Sequence, residues 1–185
     1  GSIGEHVVRI AKGFEMNVKV FDVHTNMVLA KKLGFSYAPL DTVLKTADVV
    51  TLHVPLNTHT HHLINAQKLS LLKKTAFLVN TSRGEIIDTK ALLKVLNGKK
   101  IAGAALDVLE EECNIMEETE LLKKSFKGKC DMKTLIANHA LLKMSNVIIT
   151  PHNAFNTHEA LQRILDTTIL NIKQFKKKKK VNIVT

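Results

Sequence analysis

The sequence is poor in the residues that stabilise secreted, membrane-spanning and base-stacking proteins. Its 185 residues include two cysteines, one tyrosine and no tryptophan. Two cysteines without a CxxC pair argue against a disulfide framework and against a structural zinc site. The longest apolar runs, such as residues 76–79, are far shorter than the roughly 18 residues of a membrane span. We therefore predict no membrane segment and no metal site.

The start of the chain also lacks the basic-then-apolar pattern of a secretory leader. With so little cysteine, this predicts a reducing, cytoplasmic location. Basic residues exceed acidic ones by 27 to 17, a formal net charge of +10, and half of that excess is the lysine run 176–180. A solvated tail explains such a run best, because the sequence offers few aromatic residues for stacking on bases. We predict no nucleic-acid partner, and nucleic-acid binding through the lysines stays the weaker alternative.

Short apolar segments alternate with amphipathic segments along most of the chain. Strands are predicted at residues 18–22, 35–38, 49–54, 76–80, 101–106 and 147–150. Helices are predicted at residues 5–12, 27–33, 41–47, 66–73, 89–97 and 158–175. We expect Asp41 to cap the third helix and Asp88 or Thr89 to open the fifth. This order predicts an α/β fold with a doubly wound parallel sheet.

Residues 113–145 interrupt the alternation with two helix-like stretches, 117–122 and 134–142. The last helix carries a wide apolar stripe that suits docking on another element. We therefore expect one sheet-forming domain, residues 1–155, with a helical insertion at 113–145. Residues 156–185 form a C-terminal helix and tail.

The first four residues, Gly1-Ser2-Ile3-Gly4, open a helix, and Asp22 ends the strand that follows it. They match the last four positions of the G-x-G-x-x-G fingerprint, in which glycine lets a pyrophosphate approach the helix amides. An acid about 20 residues further on accepts hydrogen bonds from a ribose diol. The pattern predicts a dinucleotide site without its first glycine and first strand. The alternative is that these glycines only allow close packing of the helix and bind no dinucleotide.

Charged groups follow three of the predicted strands. Arg83 follows the strand that ends at Asn80, Asp107 and several glutamates follow the next, and His152 follows the last. The carboxyl ends of parallel strands share one edge, where ligands bind. An arginine binds a carboxylate with two hydrogen bonds, a histidine exchanges a proton near neutral pH, and a neighbouring carboxylate favours imidazolium. Taken singly, each fits a surface role; together they suit reduction of a 2-oxo acid.

These motifs together resemble the D-isomer-specific 2-hydroxyacid dehydrogenases, and most of all their D-lactate dehydrogenase branch. The series, in the family's order, is Asp22, His53-Val54-Pro55-Leu56, Leu63-Ile64-Asn65, Val79-Asn80-Thr81-Ser82-Arg83-Gly84, Gly103-Ala104-Ala105-Leu106-Asp107-Val108-Leu109-Glu110 and Thr150-Pro151-His152. The resemblance implies a Rossmann NAD-binding domain, NAD as cofactor and a small 2-oxo or 2-hydroxy acid as substrate. It also implies a homodimer as the full-length form.

The resemblance assigns roles to single residues. It implies that Arg83 binds the substrate carboxylate, that His152 is the general acid and base, and that Glu112 pairs with His152. Glu110 and Glu111 stay open as substitutes for Glu112, and Cys113 stands where many relatives have proline. The implied cofactor-binding residues are Ser2, Ile3, Asp22, Val54, Pro55, Thr60, Thr81, Ser82, Arg83 and Asp107.

The family pattern includes two elements that come before the part this sequence resembles. Family members begin with a substrate-binding domain and the first Rossmann strand, and neither occurs in this sequence. We expect a partial chain in which the strands at 18–22 and 49–54 lack their shared partner and the last helix returns to the absent domain. We expect the isolated chain to be inactive. A catalytically inactive nucleotide-binding remnant, or an interaction protein, is the alternative function.

Overall fold

The computed structural model describes residues 1–111, 131–179, 181 and 182. The strands are β1 (Lys19–Val20), β2 (Ser36–Tyr37), β3 (Val49–Leu52), β4 (Phe77–Asn80), β5 (Gly103–Leu106) and β6 (Val147–Ile149). The helices are α1 (Ser2–Gly13), α2 (Met27–Leu33), α3 (Leu40–Thr46), α4 (Ala66–Leu69), α5 (Thr89–Asn97), α6 (Met132–Leu142) and α7 (His158–Lys176). The chain forms two compact units, Gly1–Pro151 and His152–Thr185.

All strands of the first unit pair in parallel. β3, β4, β5 and β6 form one sheet in that order, and β1 pairs with β2 in a separate sheet. The register aligns Leu52 with Asn80 and Asn80 with Leu106, so these three strands end level with one another. The predicted α/β architecture with parallel sheets is confirmed.

The strands β1 and β3 do not pair with each other, as expected for a doubly wound sheet without its first strand. Val49 on β3 is 45% exposed, whereas its neighbour Val50 is 6% exposed. β1 has only two residues because it pairs with β2 alone, and the prediction of a strand over 18–22 was too long. Unpaired edge strands leave backbone donors and acceptors open to a further strand.

One apolar core lies between the four-stranded sheet and its helices. Leu78 of β4 and Leu92 of α5 are fully buried in it, together with Leu44 and Ile64. Burying a leucine side chain contributes about 1.5–3 kcal/mol. The core therefore holds the sheet and the segments that follow its strands in one framework.

Two predictions about helix ends were wrong. Asp41 does not cap α3, which begins after Pro39, because the Asp41 carboxylate forms an ion pair with Lys68 of α4 instead. α4 ends at Leu69 rather than at 73, since the amides of Leu71 and Leu72 bond three residues back and tighten the chain into 3₁₀-type turns. Of the two residues predicted to open α5, Asp88 rather than Thr89 is the cap, and its side chain accepts a hydrogen bond from the amide of Ala91 at 3.0 Å.

The second unit contains α7, which the Thr157 hydroxyl caps by accepting a hydrogen bond from Ala160 N at 3.2 Å. None of the α7 residues is buried. Although α7 has 19 residues, no described helix combines the length and the apolar character that a membrane crossing requires. The helix predicted at 134–142 is confirmed as α6, and the one at 117–122 lies outside the described residues.

The 3₁₀ turn Gly84–Ile86 requires glycine at its first position. A Cβ on Gly84 would lie 2.0 Å from the carbonyl carbon of Leu109 and 2.3 Å from the amide nitrogen of Glu110. We expect Gly84→Ala to lower the free energy of unfolding by about 2 kcal/mol or more, because two backbones must separate. Gly13→Ala, whose Cβ would meet nothing within 4 Å, is the control in urea unfolding. Equal stability of the two variants would contradict the prediction.

Candidate functional site

The N-terminus of α1 lies beside the end of β1. The amino group of Gly1 is 3.5 Å from Asp22 Oδ2, and α1 begins without a capping side chain. Free helix amides and a carboxylate next to them are what a pyrophosphate and a ribose diol require. The predicted residues Ser2, Ile3 and Asp22 thus lie together and fit a dinucleotide.

His53, which follows β3, lies against the same helix terminus. A Cβ on Gly4 would be 3.8 Å from the His53 Cβ, and His53 Nε2 lies 2.9 Å from Thr51 Oγ1. Burial lowers the pKa of His53 below its usual value. His53 therefore stays neutral at neutral pH. The sequence motif contained His53, but the residue was assigned no role.

The residues after β3 form a closed loop. Thr60 Oγ1 donates to the carbonyl oxygen of Pro55 at 2.6 Å and accepts from Asn57 N at 2.8 Å. The predicted cofactor residues Val54, Pro55 and Thr60 therefore belong to one loop at the carboxyl end of β3. The Thr60 hydroxyl maintains the loop shape.

The buried side chain of Asn80 shapes the loop that carries Arg83. Asn80 Oδ1 accepts from Ser82 N at 3.0 Å and from Ser82 Oγ at 2.7 Å, and Asn80 Nδ2 donates to the Arg83 carbonyl oxygen at 2.8 Å. Asn80 is 0% exposed, while Thr81 and Arg83 are exposed. The Asn80 hydrogen bonds hold the backbone of the loop while the Arg83 side chain is exposed. This arrangement suits an arginine that binds an anionic ligand. Sequence reasoning missed this role of Asn80, although asparagine at a strand end is typical of such turns.

Asp107 lies next to this loop, after β5. Its amide donates to the Asn80 carbonyl oxygen at 2.9 Å, and its Oδ1 accepts from Thr150 Oγ1 at 2.5 Å. Asp107 is buried. The carboxyl ends of β4, β5 and β6 are thereby joined, as predicted for Arg83 and Asp107.

Glu110 is also buried, and both of its carboxylate oxygens have partners. Oε1 lies 2.6 Å from His62 Nε2, and Oε2 accepts from Thr89 N at 2.9 Å. The Glu110 carbonyl oxygen accepts from Asn138 Nδ2 at 2.7 Å. These contacts give Glu110 a place between α5, α6 and the loop after β3. The sequence offered no sign of the His62 contact, which joins residues 48 positions apart.

The remaining catalytic assignments stay predictions. Glu112 lies outside the described residues, and Glu111 before it has a left-handed backbone with φ of 56°. His152 is the first residue of the second unit, with φ of 49° and its ring 6.4 Å from that of Phe155. The first unit therefore brings together Ser2, Ile3 and Asp22 on one side and Asn80, Ser82, Arg83 and Asp107 on the other.

Parallel strands, a helix N-terminus without a capping side chain and a carboxylate shortly after β1 are typical of a dinucleotide-binding domain of the doubly wound class. Residues 1–154 match the family model of the D-isomer specific 2-hydroxyacid dehydrogenase, NAD binding domain. The chain belongs to this family. The resemblance and the assignment of NAD are thereby confirmed.

Individual relatives agree with the family assignment. The chain is 39% identical over 181 residues to a D-specific alpha-keto acid dehydrogenase of Enterococcus faecium, covering 96% of this chain and 51% of the relative. It is 38% identical over 177 residues to a glyoxylate reductase of Korarchaeum cryptofilum, covering 96% and 47%. The crystal structure of D-lactate dehydrogenase from Aquifex aeolicus, complexed with NAD and lactic acid, is 40% identical with a TM-score of 0.83, covering 96% and 51%. The chain thus spans about half the length of these relatives.

We expect Asn80→Ala to lower the free energy of unfolding by about 1–3 kcal/mol, because Ser82 N and the Arg83 carbonyl oxygen lose buried partners. Amide hydrogen exchange should be faster at Ser82 than in the unsubstituted chain. Asn17→Ala changes an exposed asparagine and is the matched control. Unchanged exchange at Ser82 in Asn80→Ala would show that Asn80 does not hold the loop.

Proposed function

We propose that this chain provides the cofactor-binding half of an NAD-dependent oxidoreductase that interconverts a small 2-oxo acid and its D-2-hydroxy acid, as D-lactate dehydrogenases do. The observation that carries the proposal is the shared edge of β4 and β5. There the Asn80-braced loop presents an exposed Arg83 next to the segment that begins at Asp107. A fixed arginine beside a dinucleotide site suits an anionic substrate of small size.

The side chains of this chain divide the work of binding and proton transfer. Arg83 binds the substrate carboxylate, since its planar guanidinium matches two carboxylate oxygens. His152 gives a proton to the carbonyl oxygen during reduction and takes it back during oxidation. Glu112 pairs with His152 and favours its protonated form. Both oxygens of Glu110 are already engaged by His62 and Thr89 N, which supports Glu112 over Glu110 in this role.

When bound in its reduced form, NADH, the cofactor would supply the hydride that reduces the carbonyl carbon, and NAD⁺ would take it back in the oxidation. The amides of Ser2 and Ile3 hold the pyrophosphate at the N-terminus of α1, and Asp22 accepts hydrogen bonds from the adenosine ribose. The other cofactor contacts come from the loops that follow β3, β4 and β5. They are Val54, Pro55, Thr60, Thr81, Ser82, Arg83 and Asp107.

We further propose that the active protein is a cytoplasmic homodimer whose substrate-binding half precedes this chain. Residues 1–155 then form the NAD-binding domain, with its insertion at 113–145, and residues 156–185 return to the preceding half. Ile164, Ile172 and Phe175 are exposed apolar side chains on α7. They support the packing of α7 against the preceding half, because apolar side chains of this kind need a partner surface. Without a second wall the cleft neither positions the acid nor excludes water.

The test uses the 185-residue chain alone and joined to the N-terminal half of the Aquifex aeolicus relative. We expect the joined protein to oxidise NADH with pyruvate and to form the D-isomer, and the chain alone to show no useful rate.

In the joined protein, His152→Ala should lower turnover by about 10² to 10⁴, the usual effect of losing a positioned acid or base. Arg83→Lys should raise the KM for pyruvate more than the KM for NADH, since lysine keeps the charge but not the two-pronged geometry.

Arg163→Ala, an exposed arginine on α7, is the control for the Arg83 variant. A joined protein that binds NADH but does not oxidise it with any small 2-oxo acid would indicate an inactive nucleotide-binding remnant. A chain that is active alone would show that it needs no preceding half.

Asp22 leads to a prediction about cofactor choice. A carboxylate beside the adenosine ribose repels a 2′-phosphate, so the joined protein should prefer NAD to NADP by more than about tenfold, or about 1.4 kcal/mol. Fluorescence titration should show that Asp22→Ala narrows this preference. Asp48→Ala, which removes an exposed carboxylate of the Lys73 ion pair, should leave it unchanged. Equal affinities for both cofactors before substitution would contradict the role of Asp22.

A further inference from the structure

Two consecutive histidines, His61 and His62, present their rings on the same side of the chain. The ring centroids are 4.1 Å apart and the planes are tilted by 30°. Successive side chains in an extended segment point in opposite directions. His62 has φ of 50°, a left-handed backbone that few residues other than glycine adopt. In this conformation the His62 amide donates to the Glu85 carbonyl oxygen at 2.8 Å, and the two imidazoles lie side by side.

A buried carboxylate faces the two rings. Glu110 is 8% exposed and its Oε1 lies 2.6 Å from His62 Nε2. The amide of Thr89 donates to the other oxygen at 2.9 Å, which fixes the orientation of the carboxylate. In metal sites, a hydrogen bond to the oxygen that does not face the metal orients the ligating carboxylate in this way.

We propose that His61, His62 and Glu110 form a binding site for a divalent transition-metal ion, with Zn²⁺ as the preferred occupant. One ligand atom from each residue lies within 4.8 Å of the others. Two imidazoles and one carboxylate are a ligand set that Zn²⁺ accepts, with a water molecule as fourth ligand. In the ranges that the structure describes, no second group of three histidine, cysteine or acidic side chains comes so close together.

The ligand atoms, which lie within 4.8 Å of one another, must shift by up to about 1.5 Å to surround a zinc ion. In a tetrahedral zinc site with bonds of about 2.0–2.1 Å, two ligand atoms lie about 3.3 Å apart. The contact between His62 Nε2 and Glu110 Oε1, 2.6 Å long, must therefore widen by less than about 1 Å. This shift falls on the histidines, because His61 is exposed and His62 is partly exposed, while Glu110 is held from α5.

The nearby charges permit a cation. The hydrogen bond from the Lys90 ammonium to Asp131, 2.9 Å long, is the main cause that raises the Lys90 pKa, and the charge of Glu110 contributes least. Lys90 is therefore paired with Asp131 rather than with Glu110. Bound zinc would replace one hydrogen bond between the loop after β3 and the segment after β5 with three metal–ligand bonds. The site uses no cysteine, which explains why counting cysteines did not find it.

The test measures zinc binding by isothermal titration calorimetry with ZnCl₂, on the 185-residue chain and on the protein joined to the N-terminal half of the Aquifex aeolicus relative. Substitution by Co²⁺ gives the visible absorption of a tetrahedral site as an independent readout. We expect one ion per chain, with affinity lowered more than about tenfold in His61→Ala, since loss of even an outer partner weakens metal binding 10- to 100-fold. His61 is exposed and has no role in the core, so this variant should fold.

His59→Ala is the matched control, because His59 is an exposed histidine of the same loop that lies outside the group. Its zinc affinity should equal that of the unsubstituted chain. Binding that His61→Ala leaves intact, or that His59→Ala weakens equally, would overturn the proposal. So would the absence of zinc binding and of a Co²⁺ spectrum, which would identify His62–Glu110 as a hydrogen-bonded contact only. Binding is measured without turnover, so the result is independent of the proposed oxidoreductase activity.

Discussion

The buried amide of Asn80 is the contact on which the proposed site depends. The Asn80 carbonyl oxygen accepts a hydrogen bond from the Asp107 amide and so continues the β4–β5 pairing one residue past the end of β5. Its side chain makes three hydrogen bonds to the loop that follows, two to Ser82 and one to Arg83. An unsatisfied amide in the core would cost about 1–3 kcal/mol. The loop conformation and the burial of Asn80 therefore stabilise each other.

A second constraint acts a few residues further along the same loop. Gly84 packs directly against the backbone of Leu109 and Glu110, and this contact keeps the loop after β4 against the segment after β5. Glu110 is then held at the N-terminus of α5, where its carboxylate accepts from Thr89 N and contacts His62. The same packing thus serves both the proposed substrate site and the proposed zinc site. The two sites share the segment from Asp107 to Glu110 but use different residues.

The separation of the two sheets has consequences beyond the fold. The β1–β2 sheet and the sheet of β3, β4, β5 and β6 are separate, so β1 and β3 each have one edge that no described strand pairs with. The dinucleotide site uses groups from both sheets, because Asp22 follows β1 and His53 follows β3. The N-terminal part of α1 contacts both groups, as the positions of Gly1 and Gly4 show. A further strand between the sheets would fix the cofactor residues more firmly than the present contacts do.

The sequence by itself determined the order of strands and helices, the family and the kinds of side chain that follow each strand. Periodicity and capping are local, so α5 with its Asp88 cap and the parallel strands could be predicted. Tertiary structure decided the rest. Asp41 pairs with Lys68 across 27 residues instead of capping its own helix, and His62 meets Glu110 across 48. The length of β1 likewise depends on which strand pairs with it. These outcomes depend on which surfaces meet after folding, and no local pattern contains that information.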